Sequence, residues 1–256
     1  MINSMKNTEN TEKNTWPASL TIEGAEYNLV DVQRRDRAAI YKSNGQYLRI
    51  GQEPSILADL ALHKKMEQFG FPVARLLGEG RNGDKHYFIE ESLGDKHFGS
   101  LFAESDQQAF DDFLRIAVDF GGAQLRTVQD KKDFKTFATG IHVDWLCEEF
   151  PDDVERIKEI FNDVKTQLSV YPFVISHGDF NPNNMYPRGV IDLEDSFYGP
   201  LGYDLISALV HIDYFPDTPA DGYFARYRFS EDQKKEYLAT IDALSEKARL
   251  PAFSDH

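Results

Sequence analysis

The 256-residue chain holds a single cysteine, Cys147, so no disulfide can form within it and the expected address is the cytoplasm. It has no apolar run near the roughly 18 residues of a membrane span. Its N-terminal stretch lacks both the apolar core of a secretory signal and the Arg-rich character of a transit peptide. Positive charge is scarce: 28 Lys and Arg against 43 Asp and Glu leave a net charge of −15. The mean field of such a chain repels nucleic-acid phosphates and acidic lipid surfaces, which excludes nucleic acid and membrane as expected partners and favours a neutral or cationic small molecule. No internal repeat is visible, and one stretch, from Val32 to Tyr41, has no glycine at all.

What is present describes an ordinary globular protein, 41% hydrophobic and 13% aromatic, long enough for one large domain or two modest ones. Residues 1–15 are Asn- and Thr-rich without apolar periodicity and read as a disordered tail. Residues 16–93 read as strands broken by turns: LTIEG, YNLVDV, AAIYK, QYLRI after a Ser43-Asn44-Gly45 turn, and HYFIEE. One helix is expected among them from Pro54 to Phe69, where Ile56, Leu57, Leu60, Ala61 and Met66 recur at helical spacing before Gly70 and Pro72 stop it. Past a hinge at Gly94-Asp95 the period becomes helical. Ser105 or Asp106 would cap a helix carrying Phe110, Phe113, Leu114, Ala117 and Val118, and further helices fit 152–168, 202–212 and 230–247. Residues 94–256 are therefore mostly helical, with one short β interruption at 172–193. The fold class expected is α+β, a small antiparallel-sheet lobe followed by a larger helical one.

That interruption carries the chemistry. It reads SHGDFNPNN and then MYPRGVIDLED. If Pro187-Arg188-Gly189 is a three-residue hairpin loop, Tyr186 faces Val190, Met185 faces Ile191 and Asn184 faces Asp192. Opposed residues are close enough for the Asn184 amide oxygen and the Asp192 carboxylate to converge on one hard cation. Few oxygen ligands with waters left over suit Mg2+ carrying a nucleotide. Asp179 stays on the same loop, placed to orient a hydroxyl.

HGDFNPNN resembles the catalytic loop of the aminoglycoside phosphotransferase and choline kinase family, which has a two-lobed protein kinase-like fold. The resemblance takes in His-Gly-Asp, the Asn after four intervening residues, the following Ile191-Asp192, and a segment from Gly199 to Leu205 that ends in Tyr-Asp-Leu. An ordered set of this kind is specific where His-Gly-Asp alone is not. It implies Asp179 as catalytic base, Asn184 and Asp192 as Mg2+ ligands, His177 and Asp204 as supports of the loop, and ATP, with GTP the alternative, as phosphoryl donor. GQYLRIG resembles the strand that carries a basic residue to the phosphates, which implies Arg49, with Lys42 the competitor. Its acidic partner would be Asp59, with Glu53 as rival. HYFIEESLG resembles the hinge that holds adenine through backbone groups at Glu91, Ser92 and Leu93.

The chain also departs from the pattern. The turn VQRRDRAA lacks the glycines that cover the phosphates in protein kinases and offers Arg34, Arg35 and Arg37 instead. Arg126 stands where the family carries a histidine near the end of a long helix. Asp192-Leu193-Glu194 lacks a glycine, and Tyr203-Asp204 follows too soon for a long activation segment, which argues against a regulated protein kinase.

The reading is therefore an ATP-dependent phosphotransferase acting on a small-molecule hydroxyl. Asp144, Glu148, Glu149, Asp213 and Asp217 could line a site for a cationic acceptor such as an amino sugar or amino alcohol. The alternatives are a degenerate kinase-like module that binds nucleotide without turnover, and a metallohydrolase cluster of His177, Asp179, Asp192 and Asp195.

Overall fold

The computed structural model describes residues 16–33, 38–52, 54–104, 107–214 and 229–255. The tail at 1–15, Arg34, Arg35, Arg37, Glu53, Ser105, Asp106, Asp217 and the side chain of Asp213 lie outside the described residues. The described chain divides into two compact units. The first holds the residues up to Ala61 together with Arg75–Ser92, and the second holds Leu62–Ala74 together with Leu93 onward.

The first unit is a six-stranded antiparallel sheet. It contains β1 (Ser19–Ile22), β2 (Ala25–Gln33), β3 (Ala38–Ser43), β4 (Gln46–Gly51), β5 (Leu76–Asn82) and β6 (Lys85–Glu91), in the order β1-β2-β3-β4-β6-β5. Asn44 and Gly45 link β3 to β4 with φ of 36° and 78°, the left-handed pair that a two-residue hairpin loop requires. Side chains alternate across a strand, so one face carries Tyr41, Leu48, Ile50, Tyr87 and Ile89, and the other carries Ala38 and Phe88. Helix α1 (Ser55–Gln68) covers the second face through Ile56 and Leu60. Arg49 and Glu90 keep the parity of this α1-covered face.

Five of the six strands follow the sequence pattern. The sixth, β5, falls in FGFPVARLLGEG, which reads as a linker after the helix. Two glycines and no β-branched residue hide it from propensity. Gly80 is needed because the Tyr87 hydroxyl would lie 2.6 Å from any Cβ placed there.

The second unit is mainly helical: α2 (Phe98–Ala103), α3 (Gln107–Gln124), α4 (Phe134–Gly140), α5 (Val143–Glu149), α6 (Val154–Leu168), α7 (Tyr203–Tyr214) and α8 (Glu231–Lys247). Two small ladders interrupt them, β7 (Phe173–Ser176) with β10 (Phe197–Pro200), and β8 (Met185–Tyr186) with β9 (Gly189–Val190). Helix α8 starts with a capping box in which Ser230 and Gln233 satisfy each other's backbone amides. Pro151–Asp153 makes a single 3-10 turn before α6. Helices α2, α4 and α5 have no counterpart in the sequence reading, because six or seven residues are too few to establish a helical period. Among the described residues, no helix is long and apolar enough to cross a membrane.

The core of this unit is aromatic. Phe113 on α3 is fully buried, with the rings of Phe98, Phe102 and Phe229 edge-on to it at 5.5, 5.5 and 5.7 Å. Such pairs add to the burial of the rings themselves. Phe113→Ala should therefore destabilise the protein by about 3–5 kcal/mol, the range for an aromatic cavity in a packed core. Urea unfolding with the second unit's signal as probe checks this, and a loss below about 1 kcal/mol would contradict the packing.

Candidate active site

The second unit builds its polar centre around one buried carboxylate. Asp204 lies in the first turn of α7, fully buried, where the helix N-terminus favours a negative group. Its Oδ2 accepts the His177 amide at 3.0 Å and the Gln124 Nε2 at 2.6 Å, and its Oδ1 accepts the Gly178 amide at 3.2 Å. Burial pushes the Asp204 carboxyl above the usual carboxylate range, and the nearby His177 and these three donors oppose the shift. The strand β7 is buried along its whole length and delivers His177 to this carboxylate.

His177 links two segments. Its Nε2 donates to the Ile191 carbonyl at 2.7 Å, and its Nδ1 faces the Asp179 amide at 3.3 Å. An imidazole that accepts at Nδ1 and donates at Nε2 is neutral. Burial lowers the His177 pKa in the same direction, against the pull of Asp204. Gly178 follows with φ of 89°, and a Cβ at this position would collide with the Asp195 carbonyl. Glycine is required here on both counts.

The next loop fixes Asp179. Asn181 Nδ2 donates to its Oδ1 at 2.8 Å, and Asn184 Nδ2 donates to its Oδ2 at 2.8 Å and to its carbonyl at 3.0 Å. Asn181 is itself buried, and its carbonyl and Oδ1 accept the Asn184 and Asn183 amides at 2.9 and 2.8 Å. On the other side His211, from α7, brings Nε2 to 3.9 Å from Asp179 Oδ1.

The register of the β8–β9 hairpin differs from the sequence reading. Met185 pairs with Val190 and Tyr186 with Gly189, so the loop has two residues, Pro187 and Arg188, and Gly189 belongs to the strand. The Ile191 amide bonds the Asn184 carbonyl at 2.9 Å, so Asn184 faces Ile191 and Asp192 stands one position further on. The reason lies in Gly189, whose missing side chain lets the Pro72 carbonyl approach the ladder and accept the Val190 amide at 2.7 Å. Asp192 takes a left-handed conformation, φ 64°, and opens the 3-10 turn Leu193–Asp195. Aspartate tolerates this region better than most residues.

These donors suit a hard cation. The Asn184 amide nitrogen is spent on Asp179, so its amide oxygen is the atom that could serve a metal, and Asp192 could add a carboxylate. Among the described residues no three His, Cys, Asp or Glu side chains gather as a metal centre, and the metallohydrolase reading loses His177 to Ile191 and the Asp179 amide.

In the first unit, Arg49 Nε lies 2.9 Å from Glu90 Oε1, both side chains largely buried. Because Arg49 pairs with Phe88 across β4 and β6, Glu90 is its diagonal neighbour on the same face. Asp59, the acid expected from the sequence, stands half-buried on α1, and Glu90 is a second carboxylate that the sequence does not single out. Lys42 sits over the Tyr47 ring at 5.2 Å, at the strand end. Of the three hinge positions, the Glu91 amide is committed to the Arg75 carbonyl at 3.0 Å and the Ser92 amide to the Gly45 carbonyl at 2.7 Å. Leu93 is the position whose amide is outside these bonds.

Arg126 also has a defined task. It donates through Nε to the Phe69 carbonyl at 2.6 Å and through Nη2 to the Gly70 carbonyl at 3.1 Å, closing the C-terminal end of α1. Gln124 and Asn181 escaped the sequence reading altogether; the signal for Asn181 was available in the run Asn-Pro-Asn-Asn after Asp179.

A curled antiparallel sheet unit, a mostly helical unit and a loop of this design define a kinase-like phosphotransferase fold. The sequence pattern of the phosphotransferase enzyme family (APH) matches residues 47–238, and the chain belongs to this family. Solved structures agree in fold. The gentamicin complex of the aminoglycoside phosphotransferase APH(2")-IIa is 14% identical, with 88% of this chain and 80% of that one covered at a TM-score of 0.58. A thermostable variant of APH(4)-Ia in ternary complex with ADP and hygromycin B is 14% identical, covering 89% and 82% at 0.57. A choline/ethanolamine kinase family protein from Mesorhizobium loti is 12% identical, covering 89% and 83% at 0.50. No curated protein matches the chain in sequence.

The hydrogen bonds of His177 predict that its imidazole stays neutral at pH 6, half a unit below the ordinary histidine value of 6.5. Side-chain 15N NMR reads the tautomer directly, and the resonance of a protonated ring at pH 6 would contradict the arrangement.

Proposed function

We propose that the protein is an ATP-dependent O-phosphotransferase acting on a hydroxyl of a small molecule, with GTP as the alternative donor and the cytoplasm as its place of action. The observation that carries this reading is the loop 177–184, where two asparagine amides hold both oxygens of Asp179 in place. A phosphoryl-transfer enzyme needs little more than this kind of positioning, together with neutralisation of phosphate charge.

In the step proposed, the acceptor oxygen bonds to the γ-phosphorus, and the bond from that phosphorus to the β,γ-bridging oxygen breaks. Its electron pair leaves with ADP, and the hydroxyl proton passes to the Asp179 carboxylate. Asn184 and Asp192 would hold Mg2+, which supplies charge neutralisation at the phosphates. Arg49, held by Glu90, is the proposed phosphate contact in the first unit, and Leu93 is the remaining backbone position for the base. His177 and Asp204 act through the loop: the first ties the Asp179 amide to Ile191, and the second anchors the turn at Gly178.

One observation favours a second reading, nucleotide binding without turnover. The turn between Val32 and Tyr41 has no glycine to lie over the phosphates. The two readings part on turnover and on whether nucleotide binding depends on the metal.

The first test is thermal stabilisation by ATP and GTP, each with and without Mg2+, in the wild type and Asp192→Ala. A ligand at 100 times its Kd adds about 2.7 kcal/mol of stability, well within reach of the method. Stabilisation should depend on Mg2+ and weaken in the variant; equal stabilisation without the metal would support the non-catalytic reading. Asp179→Asn should leave nucleotide affinity nearly unchanged while turnover falls by about 10²-fold or more, the low end of general-base contributions. Equal loss of both would refute the division of labour.

A further inference from the structure

The Asp179 carboxylate is held on two sides by its own loop. Asn181 and Asn184 each donate to one of its oxygens at 2.8 Å. Among the described residues, one side chain from outside residues 177–184 reaches it: His211, whose Nε2 lies 3.9 Å from Oδ1. That separation is too long for a hydrogen bond and within the reach of an ion pair. The contact therefore changes character with the charge on the imidazole.

The helix puts His211 there. It follows Asp204 by seven residues on α7, two turns and about 10 Å along one face. That face grips the loop twice, at the His177 and Gly178 amides through Asp204 and beside the Asp179 side chain through His211. Among the described residues, the other titratable groups on the loop and on α7 near this contact are His177, Asp204 and Tyr203. His177 is neutral, Asp204 is enclosed by its three donors, and burial pushes the Tyr203 hydroxyl up so that it keeps its proton. Helix α6 lines a common cavity with His211 through Val164, Gln167 and Leu168, none of which titrates. Burial lowers the His211 pKa from the ordinary 6.5, while Asp179 and the last turn of α7 both favour the proton. The ring is neutral above pH 7 and gains its proton as the pH falls.

We infer that His211 is a positioning residue for the proposed base: neutral, it leaves the Asp179 carboxylate free to take the acceptor's proton, and protonated, it pairs with that carboxylate and withholds it. The inference rests on the phosphotransferase reading and adds a residue to that site. A cation at ion-pair distance favours the ionised carboxylate, which makes it a poorer proton acceptor. The sign follows from this: turnover is full above the His211 midpoint and falls as the pH drops through it. The proton that silences the base comes from solvent, since the His211 and Asp179 side chains are 25% and 38% exposed, and it rests on the imidazole. No bond of the acceptor or the nucleotide changes in the switch.

Two measurements on the full chain test this. An NMR titration of the His211 ring needs no acceptor, and its midpoint should move to lower pH in Asp179→Asn, because the neighbouring anion is gone. An unchanged midpoint overturns the contact. ADP release from MgATP at saturating Mg2+ reads turnover, with water, choline and kanamycin offered as acceptors and the fastest of them used throughout. Between pH 7.5 and pH 5, kcat should fall at least about 3-fold more in the wild type than in His211→Gln, which keeps a nitrogen near the carboxylate and cannot take the proton. His211→Lys places a lasting cation there and should lower kcat at pH 7.5 by about 10-fold or more, with the KM for MgATP changed less than about 2-fold. A histidine that only packs α7 would leave both variants with the wild-type pH profile, and that outcome overturns the inference while phosphoryl transfer stands. No ADP release in any arm, water included, from a protein that MgATP stabilises is the result of the non-catalytic reading and overturns both.

Discussion

A carboxylate sealed away from water must be satisfied by its neighbours, and the site depends on how the protein meets that demand at Asp204. Two backbone amides and one side-chain amide surround it, so the turn at His177 and Gly178 cannot move without exposing a buried acid. The constraint passes outward along the chain. With its own amide held, His177 can present one ring nitrogen to the Asp179 amide and the other to Ile191. The loop bearing the candidate base and the strand leading to Asp192 are thereby referred to one fixed imidazole.

The same economy appears in the side chains around Asp179. Asn184 orients that carboxylate through its nitrogen, which leaves its oxygen available as the metal ligand proposed above. In that proposal one amide would set the relation between base and metal, a precision that a flexible loop of separate ligands would lack. In the first unit the Arg49–Glu90 pair is built differently: two adjacent strands fix it through their alternation, and the helix covers the same face. Rigid sheet positions suit a guanidinium whose planar fork loses value when misaligned.

Much of this was legible in the sequence, because the residues concerned obey local rules. Strands β1 to β4 and β6 alternate, α1 and α3 repeat at helical spacing, and the order of His177, Asp179, Asn184, Asp192 and Asp204 along the chain carries the resemblance to the family. What the sequence concealed depends on contacts between distant segments. The hairpin register turned on whether Gly189 lies in the loop or the strand, which is decided by Pro72 more than a hundred residues earlier. Gln124 could not be linked to Asp204 from spacing, and Glu90 becomes the partner of Arg49 only once β4 and β6 are in register. The strand β5 was invisible because two glycines interrupt its propensity, and one of them, Gly80, answers to the Tyr87 ring.

The turn at Gly178 has a consequence for the gene as well as for the protein. Every single-base change in a glycine codon that substitutes another amino acid brings in a residue with a Cβ, and the Asp195 carbonyl occupies that space. The left-handed backbone closes the same routes a second time. The codon can therefore drift only among its synonyms, since no one-step missense neighbour preserves the turn.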